Sequence, residues 1–160
     1  MRVALTGTPG TGKTTVAELV ETEMDVVGLN ELIESEGLTS GVDEERGSLV
    51  ADLDAIEARL TDRDDVLVES HLAHHLDVDR VIVLRCRPEV LKRRLLDRGE
   101  SERKAAENAE AEALDVILSE AVERHGLEEV YEIETTERDP EGVANEIEAV
   151  LEGAREPSAG

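Results

Sequence analysis

Apolar positions fall alternately into short runs and helical stripes along the chain. Arg2-Val-Ala-Leu-Thr6 is a run of the kind that forms a strand buried on both faces, and a glycine-rich turn follows it. Lys13 to Glu23 then places Val16, Ala17, Leu19 and Val20 at helical spacing. Val26 to Leu29 reads as a second short strand or a loop, with a helical turn around Asn30 to Glu36. Gly37 to Gly47, rich in Gly, Ser, Thr and Asp, is the natural place for a mobile insertion. Leu53, Ile56, Glu57 and Leu60 predict a short helix, Asp65-Val-Leu-Val-Glu69 a strand that ends on an acid, and Arg80-Val-Ile-Val-Leu84 another strand.

Pro88 suits the first turn of a helix whose apolar positions Val90, Leu91, Leu95 and Leu96 stop at Gly99. Gly99 to Lys104 then predicts a charged loop. Ala105 to His125 predicts one long helix with Leu114, Ile117, Leu118 and Ala121 on a common face. Val130 to Ile133 is the last expected strand, Glu141 to Leu151 the last helix, and a frayed tail is expected after Gly153. Strands alternating with helices predict an α/β fold, a parallel sheet with helices on both faces joined by right-handed crossovers.

A chain of 160 residues at 39% hydrophobic content suffices for one domain with a buried core and leaves little room for a second. No apolar run approaches the roughly 18 residues that span a membrane. Met1 leads into a strand instead of a signal peptide, so a cytoplasmic protein is expected. Cys86 is the single cysteine, which excludes an internal disulfide and a cysteine-based zinc cluster; a buried thiol is expected.

Charge changes the picture more. Forty acidic residues against seventeen basic ones give a net charge of -23, more than solubility in ordinary cytosol requires. Only Lys13, Lys92 and Lys104 are lysines, and Phe and Trp are absent. The composition resembles that of proteins from salt-loving archaea, where concentrated salt screens the repulsion. Because the acid is spread through periodic segments, an acidic disordered tail is excluded. Such a surface repels nucleic acid, so no strong direct nucleic-acid binding is expected, and a basic protein partner suits it better.

Gly7-Thr8-Pro9-Gly10-Thr11-Gly12-Lys13-Thr14 matches G-x-x-x-x-G-K-[ST], and it lies between a strand and a helix, the context this phosphate-binding loop needs. Its glycines, Gly10 and Gly12 among them, let backbone N–H groups turn inward around a β-phosphate. Lys13 spans β- and γ-oxygens, Thr14 offers a hydroxyl to Mg²⁺, and Thr15 can donate to the α-phosphate of ATP. A P-loop usually works with a carboxylate at the end of a neighbouring strand, and Glu69 has that position as the magnesium-organising acid. His71, two residues on, is a candidate to position water or phosphate. His74 and His75 read as surface histidines of a loop, because no third ligand for a histidine metal site is identifiable.

Arg93, Arg94 and Arg98 cluster on one predicted helix, with Arg94 and Arg98 four apart and so on one face. Arg98, at the start of the charged loop, is the candidate to stabilise charge on the transferring phosphoryl group. Arg46 and Arg85 are candidates for contact with an acceptor phosphate.

With these elements in place the chain resembles the adenylate kinase-like ATPases of archaea and of the eukaryotic nucleus, the family of the coilin-interacting nuclear ATPase. The resemblance rests on residues 7–15, Leu29-Asn30-Glu31-Leu32, Asp43-Glu44-Glu45, Glu69-Ser70-His71, Val83-Leu84-Arg85, Arg94-Leu95 with Arg98, and Lys104 with Asn108 and Glu112. It implies a single nucleoside monophosphate kinase domain over 1–153, with an NMP-binding insertion at about 28–51, a lid at about 98–108 and a flexible tail at 154–160. It also implies broad nucleoside monophosphate kinase activity, typically ATP + AMP = 2 ADP, together with ATP hydrolysis. A further implied role is late maturation of the small ribosomal subunit, through transient binding of a platform ribosomal protein. The chain departs from the family pattern at Glu69 (usually Asp), Val42 (usually aromatic) and Glu100 (usually Tyr). An ATP-driven assembly factor with incidental kinase activity and a P-loop kinase for another small metabolite are the competing readings.

Overall fold

A computed structural model of the chain describes residues 1–37, 39–43 and 48–153, and the side chains of 1–37 and 52–153. In chain order the elements are β1 (Arg2–Gly7), α1 (Lys13–Leu19), β2 (Asp25–Gly28), α2 (Leu29–Glu36), β3 (Thr39–Asp43), β4 (Ser48–Ala51), α3 (Leu53–Leu60) and β5 (Val66–Glu69). A 3-10 turn at Ala73–His75 leads to β6 (Arg80–Arg85), α4 (Pro88–Asp97), α5 (Glu102–Ala113), α6 (Val116–His125), a second 3-10 turn at Leu127–Glu129, β7 (Val130–Glu134) and α7 (Pro140–Leu151).

β2, β5, β1, β6 and β7 form a parallel sheet in that order. Side chains alternate across it with period two. Ala4, Val66, Val68, Val81 and Val83 face one layer, where they pack with Ile56 and Leu60 of α3 and Ile117 and Ala121 of α6. Val3, Leu5, Leu67, Ile82, Leu84 and Ile133 face the other, against Val16 of α1 and Val143, Ile147 and Val150 of α7. Tyr131 of β7 lies in this second layer at 6% exposure, with the Arg80 guanidinium 6.0 Å from its ring centre. Both strand faces are therefore buried, as the unbroken apolar runs require. Leu91 and Leu95 of α4 form a smaller cluster with Cys86 and Ala105 of α5, and Cys86 is a buried free thiol as expected. No described helix is long and apolar enough to cross a membrane.

The pairing register sets Leu5 of β1 beside Glu69 of β5. The carboxyl end of the central strand, which runs into the glycine loop, is therefore adjacent to the strand-end acid. In open α/β sheets, this end of the strands is where ligands bind.

Three expectations need correction. α1 ends at Leu19 rather than Glu23, since Val20 is already extended and the chain turns toward the edge strand β2. α5 starts at Glu102 because the Ser101 hydroxyl caps it by accepting from the Lys104 N–H, so the expected loop 99–104 shrinks to 99–101. The expected helix Ala105–His125 is two helices. Asp115 breaks it in a left-handed conformation (φ 54°) that Asp tolerates better than most residues, and its carboxylate turns to Arg85. Leu114, placed by pattern on the buried face, is 67% exposed.

β3, in the glycine-rich stretch, pairs antiparallel with β4 just after it, Val42 opposite Leu49, with an irregular register between Thr39 and Gly41. Arg46 and the expected tail 154–160 lie outside the described residues.

Candidate active site

The loop between β1 and α1 depends on backbone that only glycine adopts easily. Gly10 has φ 98°, and a Cβ there would come within 3.0 Å of Leu95. Gly12 at φ 91° starts α1 with no side-chain cap, leaving the first N–H groups of that helix for a ligand. The loop is tied by Thr11, whose N–H and hydroxyl both donate to the Thr8 carbonyl (3.2 and 2.8 Å). The same carbonyl accepts from Lys13 Nζ at 3.2 Å, so the lysine folds back over the loop.

Lys13, Thr14, Thr15, Glu69, His71 and Arg98 line one cavity of about 250 Å³, together with Gly10 and Gly12. The residues read from sequence as catalytic, donor-phosphate-binding or magnesium-binding thus line one cavity, whereas of the two acceptor-phosphate candidates Arg85 is not among its lining and Arg46 lies outside the described residues. A second cavity of about 410 Å³ shares Thr14, Asn30 and Glu69 with the first and extends to Glu18, Val20, Val26 and Glu31. A third, of about 240 Å³, lies on the other flank of the loop between Thr15, Arg94, Thr135 and Arg138.

Lys13 is 9% exposed and Glu69 6%. Burial pushes the Lys13 ammonium down to about 8, with Glu69 opposing that shift and Arg98 adding to it. His71 is also held below the ordinary histidine range, first by burial and then by the charge of Lys13, so its imidazole is neutral near pH 7. A neutral ring can accept a proton or hydrogen bond from water at one nitrogen while donating from the other. Thr14 and Glu69 offer a hydroxyl and a carboxylate to the same cavity, a hard all-oxygen donor set that fits Mg²⁺.

The other arginines separate. Arg94 donates to the Gly10 carbonyl (3.4 Å) and the Thr135 carbonyl (3.1 Å), buttressing the glycine loop from α4. Arg93 is exposed. Arg85 is not available to an acceptor phosphate, contrary to expectation. Its guanidinium pairs with Glu112 (3.1 Å), Glu132 (3.2 Å) and Asp115. Three carboxylates engage the cation, and Arg85 is absent from the lining of the phosphate-loop cavity.

Glu112 is the site residue to which sequence reasoning gave no role. Only 4% exposed, its carboxylate accepts from the Thr8 hydroxyl (2.8 Å), the Cys86 N–H (2.8 Å) and Arg85 Nε (3.1 Å). The signal was present: Ala105, Ala109 and Glu112 follow i, i+4, i+7, which sets the acid on the apolar face of α5. His74 also departs from expectation, since it is not a surface residue. At 1% exposure its Nδ1 meets the Thr6 hydroxyl (2.8 Å) and its Nε2 meets Glu120 (3.0 Å).

A family profile described as an AAA domain matches residues 3–115. Over 160 residues, covering all of this chain and 95% of the relative, the sequence is 68% identical to a protein provisionally named adenylate kinase in Natronomonas pharaonis. The chain belongs to the adenylate kinase-like P-loop family. Relatives with the same provisional name are 61% identical in Halobacterium salinarum, over all of this chain and 95% of the relative, and 46% identical in Methanosarcina acetivorans, over 95% and 87%. The crystal structure of shikimate kinase from Bacteroides thetaiotaomicron superposes on this adenylate kinase-like chain with a TM-score of 0.57 at 19% identity, covering 95% of this chain and 98% of that one. At that identity the likeness concerns the fold alone, an α/β P-loop NTPase fold.

Proposed function

We propose that the chain is a broad-specificity nucleoside monophosphate kinase, acting in the cytoplasm chiefly as an adenylate kinase (ATP + AMP = 2 ADP), with ATP hydrolysis as a second activity. The observation that carries this reading is the pair of cavities meeting at Thr14, Asn30 and Glu69. One contains the P-loop lysine and suits a donor triphosphate. The other, of about 410 Å³, suits a nucleoside monophosphate brought in line with it. The provisional adenylate kinase names of the relatives support the same reading.

In this reading Gly10, Gly12 and Thr15 bind the donor phosphates and Lys13 bridges the β- and γ-oxygens. Arg98 meets charge that spreads over the transferring group. Thr14 and Glu69 would hold Mg²⁺, which supplies charge neutralisation on the phosphate oxygens. An acceptor phosphate is already ionised near pH 7 and needs no base, whereas water must be positioned, a role that His71 would take from its place in the lining of the same cavity. Incubation with ADP and Mg²⁺ in molar KCl tests the assignment: ATP and AMP are expected to form at equal initial rates, before ATP hydrolysis draws on the ATP. Failure of both to form would leave a kinase for another small acceptor.

A second use is favoured by the net charge of -23. The acidic surface suits a basic partner, and the maturation role implied by resemblance would make a small-subunit platform ribosomal protein that partner, released on ATP hydrolysis. Pull-down of purified ribosomal protein with ADP or a non-hydrolysable ATP analogue tests it, nucleotide-dependent retention being the expected result.

A further inference from the structure

Away from both cavities, the turn Ala73–His75 packs against α6 and brings two histidines to one acid. Glu120 Oε1 lies 3.0 Å from His74 Nε2 and 4.0 Å from His75 Nε2. One potential ligand atom from each of the three residues falls within 4.8 Å of the others. Nitrogen and oxygen donors bound at about 2.0 to 2.1 Å to a tetrahedral ion are separated by about 3.3 Å, a value that these two distances bracket.

The surrounding groups hold the donors in this pose. His74 Nδ1 is fixed by the Thr6 hydroxyl at 2.8 Å, and the His74 carbonyl accepts from His125 Nε2 at 2.7 Å. A partner on the second ring nitrogen is the outer-shell arrangement that orients a metal-bound imidazole. His74 is buried, whereas His75 and Glu120 are 34% and 42% exposed, so the site has a wall on one side and an entry on the other.

We propose that His74, His75 and Glu120 bind a divalent transition-metal ion of the zinc class, with the fourth position open to water. Two imidazoles and one carboxylate match borderline ions such as Zn²⁺, in contrast to the all-oxygen set of Thr14 and Glu69. The His74 ring would bind through Nε2, the nitrogen that faces Glu120. On binding, the ring proton at Nε2 moves to Nδ1, where the Thr6 hydroxyl, which can donate or accept, receives its hydrogen bond. The ion would staple α6 to the turn after β5 and, through Thr6, to the residue that precedes the glycine loop.

The test is a titration of the nucleotide-free, chelator-treated full chain with Zn²⁺ against a chromophoric chelator, repeated with Co²⁺ read by visible absorption. His75→Ala and Glu120→Gln are the variants, because both side chains are partly exposed and Gln keeps an acceptor for the His74 ring. One ion per chain is expected, with the intense visible bands of four-coordinate Co²⁺, and each variant should weaken binding by more than about tenfold. Zinc that binds equally well to both variants has been collected by scattered carboxylates, and that result, a pale octahedral Co²⁺ spectrum, or no binding overturns the proposal.

Discussion

The Thr8 hydroxyl donates to Glu112 across 104 positions of sequence, at 2.8 Å and out of contact with water. One carboxylate oxygen thus fixes the second residue of the phosphate loop while the other holds Arg85 Nε and the Cys86 N–H. α5 is thereby fastened to the loop at its carboxyl end, while its amino end follows Arg98 by four residues.

Removing this acid should be costly. Glu112→Ala leaves the Arg85 cation half-buried with the most deeply buried of its three carboxylate partners gone and the Cys86 N–H without an acceptor, an effect of about 3 kcal/mol. Glu112→Gln keeps an acceptor for Arg85 and can donate to the Thr8 oxygen, so it should lose less than half as much. Denaturant unfolding in molar KCl measures both, and a loss below about 1 kcal/mol in the alanine variant would show the bridge to be incidental.

Lys13 gives nucleotide binding a dependence on pH. Its ammonium titrates near 8 in the free protein, so it is charged at pH 7 and progressively neutral above 8. A bound polyphosphate favours the charged form and draws the pKa back up. ATP affinity should therefore fall by up to about tenfold per pH unit above that value, with proton uptake on binding. Calorimetry in buffers of different ionisation enthalpy reads both, and flat affinity up to about pH 9 contradicts the assignment.

His71 should divide the two proposed activities. In the proposed function its neutral ring positions water, which phosphate-to-phosphate transfer does not need. His71→Ala is expected to reduce ATP hydrolysis by about a hundredfold and kinase turnover by less than about tenfold. Equal losses, measured in the same buffer, would reduce His71 to a structural role.

The charge of -23 predicts salt dependence of the whole fold. The screening length shrinks from about 10 Å at about 0.1 M to about 3 Å at about 1 M, and the self-repulsion falls with it. Melting temperature should rise steadily from millimolar to molar KCl. The relatives in Natronomonas pharaonis and Halobacterium salinarum fit a protein adapted to that range. A melting temperature that ignores KCl would mean that the acidic surface has another purpose.

Residues 7–15 were legible from sequence because the loop imposes backbone requirements that few residue types meet. The parallel sheet was legible because strands buried on both faces must be apolar throughout. Glu69 and His71 could be placed by their position at a strand end. What escaped were relationships fixed only by tertiary contact. Arg85 looks like a free cation until β7 and α5 bring Glu132 and Glu112 to it. The break at Asp115 is invisible to helical periodicity, since flanking residues such as Ala113 and Val116 suit a helix, and the Arg85 that meets the Asp115 carboxylate stands 30 positions away. His74 reads as a loop histidine because the Glu120 that meets it stands 46 positions away on another helix.

Tyr131 is the sole aromatic side chain among Phe, Trp and Tyr in 160 residues. Packed in the layer under α7, on the edge strand opposite β2, it is a single native chromophore. Its ultraviolet emission and near-ultraviolet dichroism report one locus without any label. A signal that stays constant when nucleotide enters and changes only when the sheet comes apart would separate closure of the crevice from loss of the fold in one optical trace.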